Sequence, residues 1–206
     1  NYDFSIGKHD ISIMGGYNQE ESHKESQWSQ RTDVLLENLP SLSGSTGTAS
    51  VTDSFDEYAI RGLFYRVNYT YDGKYMFEAN GRYDGTSRFP KDSRFGFFPS
   101  FSAGWRISEE AFMKNTKSFL SNLKLRASWG SIGNQIILKP DNTPENYPYI
   151  PSMSPYLTEW LVDGQKTTTL NAPAMVSSSF SWEKVYTLDF GVDFGFFDNR
   201  FNGTFD

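Results

Sequence analysis

The sequence predicts an all-β chain: an antiparallel, up-and-down transmembrane β-barrel segment of about eight strands with alternating short turns and long loops. Three observations predict it. Apolar and polar residues alternate over runs of about ten residues, the length of a tilted strand crossing a bilayer. The apolar side of those runs is rich in aromatic rings, with Tyr and Trp towards the strand ends, where amphipathic rings meet lipid headgroups. Short and long connections take turns along the chain, as in outer-membrane barrels.

The strands follow in order. An alternating pattern already under way in Asn1-Tyr2-Asp3-Phe4-Ser5-Ile6 leads into Ile11, Ile13, Gly15 and Tyr17, which oppose Ser12, Met14, Gly16 and Asn18. Leu63, Tyr65, Val67, Tyr69 and Tyr71 oppose Phe64, Arg66, Asn68 and Thr70. Tyr75, Phe77, Ala79, Gly81 and Tyr83 oppose Met76, Glu78, Asn80, Arg82 and Asp84. Pro99, Phe101, Ala103, Trp105 and Ile107 oppose Ser100, Ser102, Gly104, Arg106 and Ser108. Leu123, Leu125, Ala127 and Trp129 oppose Lys124, Arg126, Ser128 and Gly130. Tyr186, Leu188, Phe190, Val192, Phe194 and Phe196 oppose Thr187, Asp189, Gly191, Asp193 and Gly195. A last run starts at Phe201. Side chains alternate across a strand, so each run has one apolar and one polar face.

Three links have hairpin chemistry: Gly7-Lys8-His9-Asp10, Asp72-Gly73-Lys74 and Phe197-Asp198-Asn199-Arg200. Gly and Asn accept positive φ, and Asp closes a turn through its side chain. Between Glu109 and Asn122, the start Ser108-Glu109-Glu110-Ala111 suits a helix N-terminus. The long links are 20–57, 85–97 and 132–179. Within them, 44–57 reads as a solvated Gly/Ser/Thr loop, and Pro140, Pro144, Pro148, Pro151 and Pro155 mark an extended external loop.

Composition narrows the function. The 206 residues carry 25 acidic and 19 basic side chains, a formal charge of −6, which disfavours a nucleic-acid surface. There is no cysteine, and His9 and His23 are the only histidines, so thiolate chemistry and a multi-histidine metal site are excluded. Apolar residues make up 37%, but 18 are Phe, 12 Tyr and 5 Trp, an aromatic load unlike the aliphatic core of a soluble sandwich. No apolar run is long enough for a membrane helix, which does not bear on strands. No Gly-x-Ser-x-Gly elbow, Walker loop or His-Glu-x-x-His occurs. No catalytic residue, metal ligand or cofactor is expected, and the chain reads as no enzyme.

Four longer stretches carry a resemblance. They are Phe77-Glu78-Ala79-Asn80-Gly81-Arg82-Tyr83-Asp84-Gly85-Thr86-Ser87-Arg88-Phe89-Pro90, the run from Arg94 to Glu110 around Phe98-Pro99-Ser100-Phe101-Ser102-Ala103-Gly104-Trp105, the run Leu123–Gln135, and Trp182-Glu183-Lys184 followed by Leu188-Asp189-Phe190-Gly191. Together they resemble the SusC/RagA family of TonB-linked outer-membrane transporters of Bacteroidetes-type bacteria. The resemblance implies a 22-stranded barrel with an internal plug, located in the Gram-negative outer membrane and importing oligosaccharides or peptides. It also implies TonB, a SusD-like lipoprotein, outer-membrane lipid and a glycan or peptide substrate as partners. Residues 1–206 are expected to be a partial barrel domain, truncated at both ends and without the plug. A secreted β-rich glycan-binding or adhesive module is the alternative.

The polar faces nominate lumen residues: Arg66, Glu78, Arg82, Asp84, Arg106, Lys124, Arg126, Asp189 and Asp193. They read as a solvated wall with cross-strand ion pairs, as contacts to a plug, or as substrate contacts. The 85–97 link nominates Arg88, Phe89, Arg94 and Phe95, either as a loop folded over the rim by its aromatics or as a binding surface, since Arg and aromatic residues are enriched at interfaces.

Overall fold

Each alternating run becomes a strand, because only an extended backbone sends successive side chains to opposite solvents. The computed structural model describes residues 1–206. In chain order the strands are β1 (Tyr2–Ile6), β2 (His9–Arg31), β3 (Ala49–Tyr71), β4 (Tyr75–Thr86), β5 (Phe95–Arg106), β6 (Leu120–Asn134), β7 (Pro155–Val162), β8 (Gln165–Leu170), β9 (Glu183–Phe196) and β10 (Phe201–Phe205). Eight of them form one antiparallel sheet in the order β1-β2-β3-β4-β5-β6-β9-β10, while β7 and β8 pair as a separate hairpin. Every neighbour in the large sheet is also a sequence neighbour once that hairpin is set aside, which is up-and-down topology.

The sheet is a single layer. Only 16 of 206 residues are buried, and Phe89 and Phe98 are the only buried large hydrophobic residues. A two-sheet sandwich of this length would bury an entire inner face. Here the apolar side chains stand exposed along one face: Leu63, Phe77, Tyr83, Phe101, Leu188 and Phe190 among them. Such an area is far beyond what a water-soluble monomer presents, and matches a lipid-facing wall.

The aromatic rings form two belts on that face. Near the short turns His9, Tyr71, Tyr75 and Trp105 occupy one cross-strand row, with Tyr71–Tyr75 and Tyr75–Trp105 ring centroids 6.3 and 6.4 Å apart. That row meets β9 at Val192, but the belt there is Phe196, which packs against Phe119 and Phe201. The belt therefore steps along the strands from β3 to β9, as strands tilted to the membrane normal require. Towards the long loops, Tyr83 stacks on Phe95, and Phe101, Trp129 and Tyr186 stack in series at 6.0 and 6.1 Å. From Tyr75 to Tyr83 the chain rises about 26 Å at roughly 3.3 Å per residue, close to an outer-membrane apolar band once tilt is included.

The short turns use left-handed backbone where the residues allow it: Gly7 at φ 61°, Asp72 and Gly73 at 52° and 65°, and Asp198 and Asn199 at 58° and 61°. Ion pairs tie these turns together. Lys8 Nζ lies 3.0 Å from Asp72 Oδ1, and Lys74 Nζ lies 3.4 Å from Asp72 Oδ2 and 3.7 Å from Glu110 Oε2. The Tyr75 hydroxyl and Trp105 Nε1 both donate to Glu110 Oε1, at 2.5 and 3.1 Å. Hydrogen bonds from Tyr75 and then Trp105 hold the Glu110 carboxyl below the usual carboxylate range, and the Lys8 ammonium does the same for Asp72. The link after β5 is thereby anchored to the aromatic belt.

Three sequence expectations need correction. The 20–57 link is mostly strand: β2 and β3 stay in register from His9↔Tyr71 to Arg31↔Ala49. Backbone pairing continues past the apolar band with no fully buried side chain, helped by Ser26–Ser54 and Tyr58–Glu20 hydrogen bonds. The 44–57 stretch is thus a loop only at its start, and β3 from Ala49 onward. The link after β5 is not α-helical. It forms two short 3₁₀ turns, Ile107–Glu109 and Ala111–Thr116, and Ser108 is buried without capping either one. Finally, the 132–179 link contains the β7–β8 hairpin, turned by Asp163 and Gly164 at φ 52° and 78°.

Candidate functional site

The polar face places the nominated charges in cross-strand rows. Asn68, Glu78, Ser102, Ser128 and Asp189 make one row across β3, β4, β5, β6 and β9. Arg106, Lys124, Asp193 and Thr204 make another, nearer the short turns. A cavity of about 430 Å³ opens between these rows, bordered by Glu78, Lys124, Arg126, Ser128 and Asp189.

Some of these charges are neutralised within the wall. Arg126 Nε lies 3.0 Å from Asp193 Oδ2, and its Nη2 donates to Asp206 Oδ1 at 2.7 Å. Thr204 donates to the same Asp193 carboxylate at 3.1 Å. Gly191 sits opposite Arg126 in the ladder, and a Cβ there would lie 2.8 Å from Arg126 Nη2, so the glycine leaves space for the guanidinium. Arg82 makes a two-pronged contact with Asp84 on its own strand, at 3.0 and 2.9 Å, and lies 5.7 Å above the Phe64 ring. Arg66 Nε donates to Asn80 Oδ1 at 2.7 Å, and Asn80 Nδ2 donates to Glu78 Oε1 at 2.6 Å. Contacts this open to water add little to stability.

Arg106, Lys124 and Asp189 have no ion-pair partner on this wall. Their charge is available to whatever occupies the space in front of it. Sequence reasoning passed over Asn80 and Asp206. Asn80 lies on the polar face but carries no charge. Asp206 acquires its partner only through the β9–β10 pairing. No group of three or more His, Asp or Glu side chains converges to hold a metal ion.

The four loop residues separate into different environments. Arg88 and Phe89 are 7% and 1% exposed. Phe89 and Phe98 both meet Trp182 edge-on, at 5.5 and 5.0 Å, and Trp182 Nε1 donates to the Arg94 carbonyl at 3.2 Å. Arg88 Nε donates to Asn146 Oδ1 at 2.7 Å and its guanidinium lies 4.1 Å from the Tyr58 ring centroid, while Asn146 Nδ2 donates to Asp56 Oδ1 at 2.7 Å. The 87–94 connection is thus folded into the rim, joining β3, the 132–179 link and the approach to β9. Phe95 is not in a loop; it opens β5, on the lipid-facing side.

A family model described as "TonB dependent receptor-like, beta-barrel" matches residues 1–206. "TonB-dependent receptor P3" of Formosa agariphila is 29% identical over 214 residues, covering 100% of this chain and 20% of the relative. "TonB-dependent receptor SusC" of Bacteroides thetaiotaomicron is 32% identical over 206 residues, covering 98% and 19%. Among solved structures, the RagAB peptide importer in the 'open-open' state matches with a TM-score of 0.80 and 25% identity, over 98% of this chain and 21% of that one. The chain spans about a fifth of the length of the curated relatives it matches. These relatives are receptors and importers by name.

Proposed function

Because the chain belongs to the TonB-dependent receptor β-barrel family, an outer-membrane family, we propose that it is part of the wall of an active importer of oligosaccharides or peptides. In this reading the aromatic face meets lipid and the charged face lines the lumen. A TonB-driven plug and a SusD-like lipoprotein complete the machine, as the likeness to SusC and to the RagAB importer supports. The observation that carries the proposal is the set of unpaired charges, Arg106, Lys124 and Asp189, on the face opposite the apolar one. A wall that only had to be soluble would gain by pairing them, whereas a wall that handles passing polar solutes keeps them available.

Charge reversal tests this in the full-length protein. Lys124→Glu and Asp189→Lys should each lower uptake of the imported oligosaccharide or peptide by roughly tenfold, equivalent to about 1.4 kcal/mol. Outer-membrane levels should not change, since both positions face water. Normal uptake by both variants would contradict the lumen assignment. Comparing labelled oligosaccharide with labelled peptide in the same cells separates the two substrate classes.

A further inference from the structure

One feature of the lipid-facing side stands outside the transport path. Beyond the row Tyr17, Leu63, Tyr83 and Phe97, towards the long loops, the same face carries Gln19, Arg61, Gly85 and Phe95. Through Phe95 this row belongs to the outer edge of the upper aromatic belt, the depth at which headgroups of the outer leaflet lie. A cation here faces lipid headgroups rather than the lumen.

Arg61 is exposed and has no carboxylate within ion-pair distance. It is held instead by stacking: its guanidinium lies 5.1 Å from the Phe95 ring centroid, and Phe95 lies 5.2 Å from Tyr83 with the rings 11° from parallel. Stacking fixes the plane of the fork and leaves its N–H donors free. Arg94 shares with Arg61 a cavity of about 250 Å³, and Arg94 Nε is buried with no acceptor. A buried guanidinium N–H without an acceptor is costly, so an oxygen-bearing ligand is the group that would complete the site. The one carboxylate at the cavity, Glu21, is engaged by Gln19 Nε2 at 2.6 Å, and Gln19 in turn accepts from the Tyr17 hydroxyl.

Two arginines line one small cavity, and a guanidinium fork suits a tetrahedral oxyanion, which accepts two-pronged hydrogen bonds from it. Taking depth, face and donor chemistry together, we propose that Arg61 and Arg94 bind the phosphate of a glycolipid in the outer leaflet. Phe95 and Tyr83 would pack against the sugar or the first acyl carbons below it. The site would fix the depth and rotational setting of this part of the wall in the membrane.

The test uses the full-length protein, purified and delipidated, with native mass spectrometry as the readout. The probes are bisphosphorylated lipid A and the same lipid after enzymatic removal of both phosphates. The expected result is retention of the phosphorylated lipid and at least tenfold less of the dephosphorylated one. Arg61→Gln, an exposed position that should fold normally, lowers retention of phosphorylated lipid A to the dephosphorylated level. Lys114→Gln, in the link after β5 at the opposite end of the wall, leaves it unchanged. Equal retention of the two lipids, or wild-type retention by Arg61→Gln, overturns the proposal. Displacement of lipid A by millimolar inorganic phosphate overturns it as well, because the site would then hold a free anion rather than a lipid.

Discussion

Phe190→Arg should prevent the protein from assembling in the outer membrane, while Asp189→Asn, one residue away, should assemble normally. The two positions differ in the solvent they meet. Phe190 is 66% exposed and shares its face with Leu188, which is 62% exposed, and with Phe77 in the same cross-strand row. It lies between the belts marked on β9 by Tyr186 and Phe196, close to the middle of the apolar band. An arginine there costs about 2–4 kcal/mol near the midplane of a barrel, a large fraction of the stability of most folded domains. Leu188→Arg should fail for the same reason. Asp189 lies in the row of Glu78 and Ser128 on the opposite face, with no ion-pair partner to lose. Fractionation followed by heat-modifiability on gels reads assembly directly. Equal assembly of all three variants would contradict the assignment of faces.

Phe89→Ala should destabilise the rim by about 3–5 kcal/mol, the usual cost of removing a buried aromatic ring. Phe89 is 1% exposed and packs edge-on against Trp182, which also meets Phe98 and donates to the Arg94 carbonyl. Those contacts hold the 87–94 connection against the segment entering β9. Removing the ring leaves a cavity in the only place where the sheet has a buried apolar cluster, so there is little else to collapse into it. Phe89→Leu should recover most of the loss. Limited proteolysis of the assembled full-length protein should show new cleavage between Ser87 and Arg94 in Phe89→Ala alone. Resistance equal to wild type would mean that the connection is held by something other than this cluster.

How much of this was legible in the sequence follows from where two solvents meet. Between the belts, neighbouring residues face lipid and water in turn, so the alternation of Tyr75–Asp84 or Tyr186–Phe196 reports the strand directly. Beyond the belts both faces meet water, and the contrast vanishes. Residues 20–31 and 49–57 therefore read as loop although β2 and β3 remain paired there. The β7–β8 hairpin was missed for another reason: its register shifts between Leu157 and Leu161, which scrambles the period of two, even though Asp163-Gly164 was a usable turn signal. At the site, the charged residues themselves could be read from the faces they occupy. Their partners could not. Arg126 finds Asp193 across the long link between β6 and β9, and Arg88 finds Asn146, which in turn donates to Asp56 on a third element. Such pairings depend on three-dimensional register, which a local pattern does not contain.

The most direct measurement of the two-faced wall starts from a cysteine-free background of the full-length protein, to which residues 1–206 contribute no cysteine. Single cysteines placed in turn at Thr187, Leu188, Asp189, Phe190, Gly191 and Val192 of the full-length protein would be labelled in intact outer membranes with a water-soluble maleimide. A wall with lipid on one side and lumen on the other predicts labelling at 187, 189 and 191 and protection at 188, 190 and 192. Uniform labelling along β9 would mean water on both faces, and would contradict the barrel-wall account.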